Sequence, residues 1–311
     1  MITYNQEKYV AQAVESILMQ QVNNDIQLRV IIADDCSKDK TLEIIKSYEA
    51  KSRYPFIYLD SEQNIGVAAN YKRAFNATQA EFVAILEGDD YWNDKCRLQK
   101  HVNYLSSHTQ CAMTKNNYLV YSQSDNEWTV ELAKESIYTL RKALVNYELA
   151  NMSCCVFRGN IVRNMDERVY DYGHKQWKEA TDWYTHLYVL QRGYCYIFDD
   201  VMSVYRVDTG DNISRTIRTD VDFVRKAHLC YELSLEMLGN SFYQECNRKY
   251  TEAKKIVTQN KRNIRYQKYS FYIPPIIAHF VCYTLPIIFW NIKHSARLCI
   301  PDGLYKFVRR K

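Results

Sequence analysis

The sequence predicts an α/β fold with a mixed, mostly parallel sheet flanked by helices. Strand and helix patterns alternate through the first hundred of the 311 residues, and the strand-like runs are continuously apolar. Continuous apolar runs are typical of strands buried on both faces, and a βαβ order gives parallel pairing. Two of these runs end in acidic residues, at the carboxyl edge where such sheets bind their ligands.

The elements of the first hundred residues follow one another at short intervals. Val10, Val14 and Ile17 share one helical face, so the first helix is predicted here, with Asn5 as its cap. Further strands are predicted at 28–33, 56–59 and 81–86, and further helices at 41–50, 67–78 and 94–105.

Residues 106–220 are less regular and contain no Pro/Gly-rich linker, so they are predicted to continue the same domain, 1–220. Strand-like segments occupy 111–121, 153–157, 194–198 and 201–207, and a helix is predicted at 180–191. Almost no strand precedes the first helix. We therefore expect a truncated first strand, or a true start upstream of Met1.

The charge is unevenly distributed along the chain. Residues 251–311 contain 12 Lys and Arg and two acids, giving +10, whereas the whole chain carries +5 and residues 1–250 therefore −5. Basic residues flank the uncharged apolar run 271–290, which favours a helical extension, 221–311, lying on an anionic membrane surface. The alternatives are helices packed on the catalytic domain or on a homodimer partner, and a membrane anchor. Positive charge beside an apolar run does not favour a nucleic-acid partner.

Cysteine usage argues against a disulfide framework and against a zinc site. The ten Cys form no CxxC pair, and Cys154 and Cys155 are adjacent. No secretory signal precedes the first motif. A reducing cytoplasm, at the inner face of the cell membrane, is the predicted location.

An acidic cluster ends the strand predicted at 81–86. Glu87, Asp89 and Asp90 surround Gly88 directly after an apolar run. Unpaired buried charge is costly, whereas carboxylate oxygens suit Mg²⁺ or Mn²⁺ that bridges to substrate phosphates. The alternative is an acidic turn that caps the next helix.

An ordered series of motifs extends over residues 1–215. The series resembles the family 2 glycosyltransferases, which are inverting enzymes with the A-type nucleotide-diphospho-sugar transferase fold. The motifs are Thr3-Tyr4-Asn5, Asp34-Asp35-Cys36-Ser37, Asn64-Ile65-Gly66, Glu87-Gly88-Asp89-Asp90, Thr181-Asp182 and Tyr205-Arg206.

The resemblance implies a role for each matching residue on the donor side. Asp35 would accept a hydrogen bond from the base, most often uracil, and Asp34 would orient the loop or touch the ribose. Glu87 and Asp89 stand where the family has Asp-x-Asp, and Asp89 and Asp90 are the expected ligands of Mg²⁺ or Mn²⁺. The nucleotide pocket would be lined by Thr3, Tyr4 and Asn5 and its wall shaped by Asn64, Gly66 and Asn70.

Asp182 stands at the position of the family's catalytic base. The partial positive charge at a helix N terminus favours an ionised carboxylate there. The alternative is plain N-capping. The family often has a His after the Tyr-Arg strand, but here Asp208 lies near that place. Arg206 and Arg215 could neutralise the diphosphate or form salt bridges.

The resemblance implies inverting transfer from a nucleotide-diphosphate donor, most often a UDP-sugar, to a glycan. The basic, apolar tail favours a polyprenyl-linked acceptor in bacterial cell-surface polysaccharide synthesis. Two alternatives remain: a soluble transferase acting on protein or free saccharide, and a non-catalytic nucleotide-sugar-binding scaffold.

Overall fold

Two β-sheets meet at the short strand that opens the chain. The computed structural model describes residues 1–134, 136–140, 142–143, 151–166, 169–170 and 181–209. All of them belong to one compact unit, Met1–Ala143 with Glu148–Ile217. The predicted extension, 221–311, lies outside the described residues.

The first sheet is parallel and has the order β1-β2-β3. Its strands are β1 (Ile2–Thr3), β2 (Val30–Asp34) and β3 (Phe56–Tyr58). On its other side, Ile2 donates from its N–H to Leu86 O and accepts at its carbonyl from Gly88 N–H, both at 2.9 Å. The two residues of β1 therefore hold the first sheet and the acidic segment together.

Four helices flank these strands: α1 (Val10–Leu18), α2 (Thr41–Glu49), α3 (Val67–Ala77) and α4 (Arg97–Ser107). The apolar positions of α1, α2 and α4 face a common core. The core contains Val10, Val14, Ile17, Ile32, Ile45, Leu86 and Leu98, all of them buried.

The second sheet carries the later strands. In chain order they are β4 (Phe82–Ala84), β5 (Tyr91–Trp92), β6 (Cys111–Ser122), β7 (Glu127–Glu131), β8 (Ser136–Tyr138), β9 (Cys155–Arg158) and β10 (Tyr194–Val207). The order across the sheet is β4-β9-β6-β10-β5, with β7 on β6 and β8 on β10. A 3-10 turn, Met152–Cys154, precedes β9, and the helices α5 (Gly159–Arg163) and α6 (Thr181–Leu190) complete the described part.

The mixed sheet with flanking helices confirms the predicted fold class, with differences in detail. Parallel pairing holds throughout the first sheet, but in the described part of the second sheet only β6 and β10 pair in parallel. The strands predicted at 194–198 and 201–207 form one strand, β10, interrupted by irregular register.

The prediction that Asn5 caps the first helix is wrong. Helix α1 begins at Val10 after Tyr9, with no side-chain cap. Asn5 has φ 51°, in the left-handed region that Asn tolerates better than most residues, and it lies in a loop before the helix. None of the helices in the described part of the chain is long and apolar enough to cross a membrane.

Candidate active site

Three loops converge at the carboxyl edge of the first sheet. They are the first loop (residues 3–7), the loop after β2 (residues 34–41) and the acidic loop (residues 87–90). Gly88 is buried, and a Cβ at this position would lie 2.8 Å from Thr3 Oγ1 and press on Gln6 Oε1. A side chain at position 88 would therefore force Thr3 and Gln6 to shift, so glycine favours the close approach of the two loops.

The first loop and the loop after β2 hold each other through reciprocal hydrogen bonds, which we call the loop latch. Asn5 N–H donates to Ser37 Oγ at 2.9 Å, and Lys38 N–H donates back to Asn5 Oδ1 at 2.7 Å. Further out, Glu7 N–H donates to Asp39 Oδ2 at 3.0 Å. The structure thus brings Asn5 beside the acidic turn after β2, as a nucleotide pocket would require.

Asp35 holds the turn that precedes α3. Its two carboxylate oxygens accept from Ile65 N–H and Gly66 N–H, each at 2.9 Å, and the side chain is buried. Asn64 Oδ1 also accepts from Gly66 N–H, at 3.1 Å. Gly66 has φ 86°, which favours glycine. Asp35, Asn64 and Gly66 therefore form one structural unit.

The neighbouring polar residues are also engaged with the protein. Asp34 accepts from Ser37 N–H at 2.9 Å and from Ser37 Oγ at 2.5 Å. Asn70 is buried and donates from Nδ2 to Ala33 O at 2.8 Å. Both side chains thus shape the end of β2, whereas the Tyr4 side chain is 40% exposed at the rim.

Asp90 anchors the acidic loop to the protein interior. Its side chain is fully buried, and Oδ2 accepts from Ser153 Oγ at 2.6 Å and from Asn151 Nδ2 at 3.1 Å. Oδ1 accepts from Arg206 N–H at 2.9 Å. Burial, followed by repulsion from Asp89 and Glu87, raises the pKa of Asp90 well above its usual range. The structure thus directs both Asp90 oxygens into the protein.

Ser153 connects the two ends of this loop, and nothing in the sequence pattern singled it out. Besides donating to Asp90, its Oγ accepts from Glu87 N–H at 3.1 Å. Its carbonyl accepts from Trp92 Nε1 at 2.8 Å. One residue therefore fixes the segment that presents Asp89.

Glu87 and Asp182 belong to the same acidic centre, although they are far apart in sequence. Tyr71 donates its phenolic O–H to Glu87 Oε1 at 2.8 Å. Burial, followed by the charges of Asp89 and Asp182, raises the pKa of Glu87 to about 8, against the opposing effect of the Tyr71 hydrogen bond. Burial also raises the pKa of Tyr71, with contributions from Glu87 and Asp182. The first turn of α6 thus places Asp182 within electrostatic reach of Glu87.

Asp89, in the acidic loop, is half-buried and lies against the end of β10. Thr209 Oγ1 donates to Asp89 Oδ2 at 3.4 Å, and Arg206 Nη1 donates to Asp89 O at 2.5 Å. The described residues contain no group of three or more His, Cys, Asp or Glu side chains arranged around a common metal position. The Asp89 carboxylate nevertheless fits Mg²⁺ or Mn²⁺, since Mg²⁺ is commonly held by one or two carboxylates together with substrate phosphates and water.

Arg206 is packed into the protein. Its guanidinium lies 5.4 Å from the Tyr9 ring centroid and 4.7 Å from that of Tyr91, and it donates to Gln12 Oε1. This arrangement makes Arg206 a support of the acidic loop. Arg215, the other candidate for the diphosphate, lies outside the described residues.

The family model described as "Glycosyl transferase family 2" matches residues 1–170, more than half of the chain. The chain belongs to this family of glycosyltransferase enzymes. An uncharacterized protein of Mycobacterium tuberculosis is 42% identical over 111 residues, which cover 35% of this chain and 31% of the relative. The putative teichuronic acid biosynthesis glycosyltransferase TuaG of Bacillus subtilis is 33% identical over 122 residues, covering 39% of this chain and 46% of the relative. Both matches thus span less than half of the relative's length.

Solved structures show the same A-type fold. Staphylococcus aureus TarS 1–349 in complex with UDP-GlcNAc has a TM-score of 0.61 at 18% identity, covering 86% of this chain and 76% of that one. The mannosyltransferase PcManGT of Pyrobaculum calidifontis, in complex with GDP-Man and Mn²⁺, has a TM-score of 0.50 at 13% identity, covering 99% of this chain and 77% of that one. At these identities the likeness establishes the fold alone.

Proposed function

We propose that the protein transfers a sugar, with inversion, from a UDP-sugar to a glycan in the synthesis of bacterial cell-surface polysaccharide. The observation that carries this proposal is the acidic centre in which the charges of Asp89 and Asp182 both act on Glu87. Relatives named for teichuronic acid biosynthesis and for poly(ribitol-phosphate) β-N-acetylglucosaminyl transfer support the polysaccharide class.

The donor would lie along the carboxyl edge of the first sheet. In this proposal Asp35 accepts from the base through the lone pairs that its two backbone contacts leave available. Glu87 would face the ribose, and Asp89 would hold Mg²⁺ or Mn²⁺ together with the donor phosphates and water. The bound cation would neutralise the charge that develops on the departing diphosphate. The pocket walls are assigned to Thr3, Tyr4, Asn5, Asp34, Asn64, Gly66 and Asn70.

Asp90 takes a different role from the one inferred from sequence. Its carboxylate is buried and accepts three hydrogen bonds from the protein, so we assign it to anchoring the loop and assign cation binding to Asp89.

Asp182 is assigned as the general base. Its carboxylate would take the proton from the acceptor hydroxyl while that oxygen bonds to the anomeric carbon. The bond from this carbon to the diphosphate breaks on the opposite side, which inverts the configuration. Single displacement therefore needs one base and a stabilised leaving group.

The test is to measure donor binding and transfer separately for wild type and Asp182→Asn. Calorimetry with a panel of nucleotide sugars and Mn²⁺ reports binding, and release of nucleoside diphosphate in the presence of bacterial wall glycans reports transfer. We expect Asp182→Asn to bind the donor like wild type and to transfer at least about 100-fold more slowly. Donor binding without turnover in wild type would support the scaffold alternative, and equal turnover in both proteins would reject Asp182 as the base.

We also propose that the acceptor is polyprenyl-linked and that the basic tail lies on the membrane surface. The support is the +10 charge of residues 251–311 around the apolar run 271–290. The full chain should sediment with vesicles containing phosphatidylglycerol and should remain in the supernatant with pure phosphatidylcholine. Equal sedimentation with both vesicles, or with neither, would contradict an electrostatic membrane contact.

A further inference from the structure

An aromatic pair, an exposed Trp128 and a half-buried Tyr121, lies on the hairpin formed by β6 and β7. The Trp128 side chain is 53% exposed, and its ring centroid is 4.6 Å from that of Tyr121, with the planes tilted by 33°. Large aromatic side chains contribute most to stability when they are covered, so an exposed Trp supported by a second ring marks a surface suited to a ligand. We call Tyr121 and Trp128 the aromatic platform.

The platform lies in register with the acidic loop. Arg206 on β10 pairs with Tyr121 on β6, and Tyr121 pairs with Trp128 on β7. Side chains paired across neighbouring strands share one face of the sheet. Arg206 at the start of this row donates to Asp89 O and Asp90 Oδ1. Two strand spacings separate Arg206 from Trp128, a distance of about 10 Å.

Polar groups link the platform to the site along the hairpin end. Tyr121 O–H donates to Asn126 Oδ1 at 2.7 Å, and Ser124 Oγ donates to Asp208 Oδ2 at 3.1 Å. The residue after Asp208 is Thr209, whose hydroxyl contacts Asp89 at 3.4 Å. Hydrogen bonds and chain connectivity therefore link the end of this hairpin to the acidic loop.

The chemistry of this surface fits a sugar ring. A pyranose presents C–H groups on its face and hydroxyls at its edge, so an aromatic face bordered by carboxylate, amide and hydroxyl groups matches both parts. We propose that the aromatic platform is an acceptor subsite that binds a pyranose of the glycan, remote from the reacting hydroxyl. This inference rests on the proposed function, because the transfer centre defines which side of the site faces the acceptor.

The first experiment measures sugar binding without turnover. Saturation-transfer NMR is recorded on the full chain with methyl glycosides of glucose, galactose, N-acetylglucosamine and rhamnose, and with the disaccharides cellobiose and chitobiose. We expect wild type to transfer saturation to the C–H face of at least one of these probes and Trp128→Ala to lose that signal. Trp128→Tyr, which keeps an aromatic face, should retain it. Identical spectra from wild type and Trp128→Ala for every probe would overturn the proposal.

Two controls separate the platform from folding and from the donor site. Leu132 is 65% exposed just beyond β7, so Leu132→Ala removes an apolar side chain outside the row and should leave sugar binding unchanged. UDP, measured in the same samples, should bind equally to wild type and Trp128→Ala. If none of the proteins binds UDP but the sugar probes still bind, the proposed donor is rejected and the proposal for the aromatic platform is retained.

The transfer assay gives a second measure, and light scattering tests a rival occupant. With an active acceptor glycan, Trp128→Ala should raise the acceptor KM roughly tenfold with kcat and the donor KM unchanged.

In the described part of the chain, β7 pairs with β6 alone, so its other edge could pair with a second copy. A wild-type dimer that Trp128→Ala converts to monomer would assign the surface to self-association and overturn the acceptor subsite.

Discussion

Adjacent residues in the acidic loop have different environments and therefore different duties. Asp89 is half-buried at the rim, whereas Asp90 is fully buried and is met by three donors from three residues. A carboxylate whose oxygens already accept from the protein has less to offer a cation. The same residue type thus anchors the loop at position 90 and is available to ligands at position 89.

Asp90→Asn should destabilise the protein by about 1–3 kcal/mol, because the new amide N–H would face donors that need an acceptor. Asp89→Asn should leave the melting temperature unchanged in metal-free buffer. Thermal unfolding with and without Mn²⁺ and UDP checks both: wild type should gain stability from the ligands, and Asp89→Asn should not. Ligand stabilisation of Asp89→Asn equal to wild type would contradict the assignment of the cation to Asp89.

Ser153→Ala should weaken binding of Mn²⁺ with UDP by roughly tenfold, since each lost hydrogen bond to a charged group is worth about 1.5–3 kcal/mol. In this variant Glu87 N–H loses its acceptor and Asp90 loses one of its three donors. Calorimetry provides the measurement. Ser203→Ala is the matched control, because Ser203 is also buried and its Oγ accepts from Asn116 Nδ2 at 2.8 Å, a residue outside the acidic loop. Equal losses in both variants would show that Ser153 has only a general packing role.

At the scale of elements, the acidic loop packs closely against the first loop because position 88 is a glycine. Gly88 donates its N–H to Ile2 O at 2.9 Å and faces Thr3 and Gln6. Strand β1 is thereby joined to the acidic loop as closely as it is to β2. A change in the first loop therefore reaches the acidic loop directly.

Gly88→Ala should raise the donor dissociation constant and lower the melting temperature, because its Cβ would overlap Gln6 Oε1 and crowd Thr3 Oγ1 at 2.8 Å. The double variant Gly88→Ala with Gln6→Ala removes the nearest obstacle and should recover part of the stability. Equilibrium unfolding of wild type, Gly88→Ala, Gln6→Ala and the double variant gives the coupling free energy. Purely additive effects would mean that the loops have moved apart to accommodate the methyl group.

The sequence predicted where helices and strands lie better than it predicted the contacts between residues distant in sequence. Apolar periodicity located α1 to α4 and the strands between them to within a few residues. It did not predict β5, which has two residues, or β7, whose Trp128 and Val130 are exposed where an alternating strand would bury them. Motif order placed Asp35, Asp89 and Asp182, but Ser153, Tyr71 and Asn151 meet the acids through contacts across the fold, which no local pattern encodes.

At the scale of the whole molecule, buried histidines make stability depend on pH. His186, on α6, is buried, and its Nε2 lies 3.2 Å from Cys155 Sγ. Burial lowers the pKa of His186 to about 4, against an opposing effect of Asp182. The unfolded chain would bind a proton at this residue near pH 6.5, whereas the folded chain does so only near pH 4. Stability from neutral His186 is therefore lost as the pH falls between these values.

His186→Gln should remove this part of the pH dependence. Between pH 7 and pH 4, wild type should lose up to about 3 kcal/mol more free energy of unfolding than the variant. Urea denaturation at several pH values measures the free energy of unfolding of both proteins. Subtracting one curve from the other cancels the contributions of His101 and the acids, which the two proteins share. Parallel curves for the two proteins would show that His186 is not protonated differently in the folded and unfolded states.

The loop latch has a consequence for how the donor is selected. Asn5, Ser37 and Lys38 are joined by hydrogen bonds within the protein itself, so the wall proposed to face the base is held in place before any nucleotide binds. The conformational entropy of these loops is lost during folding, and binding need not supply it again. Nucleotide preference should then follow from shape complementarity with a fixed wall, and donors should bind with fast, single-step association.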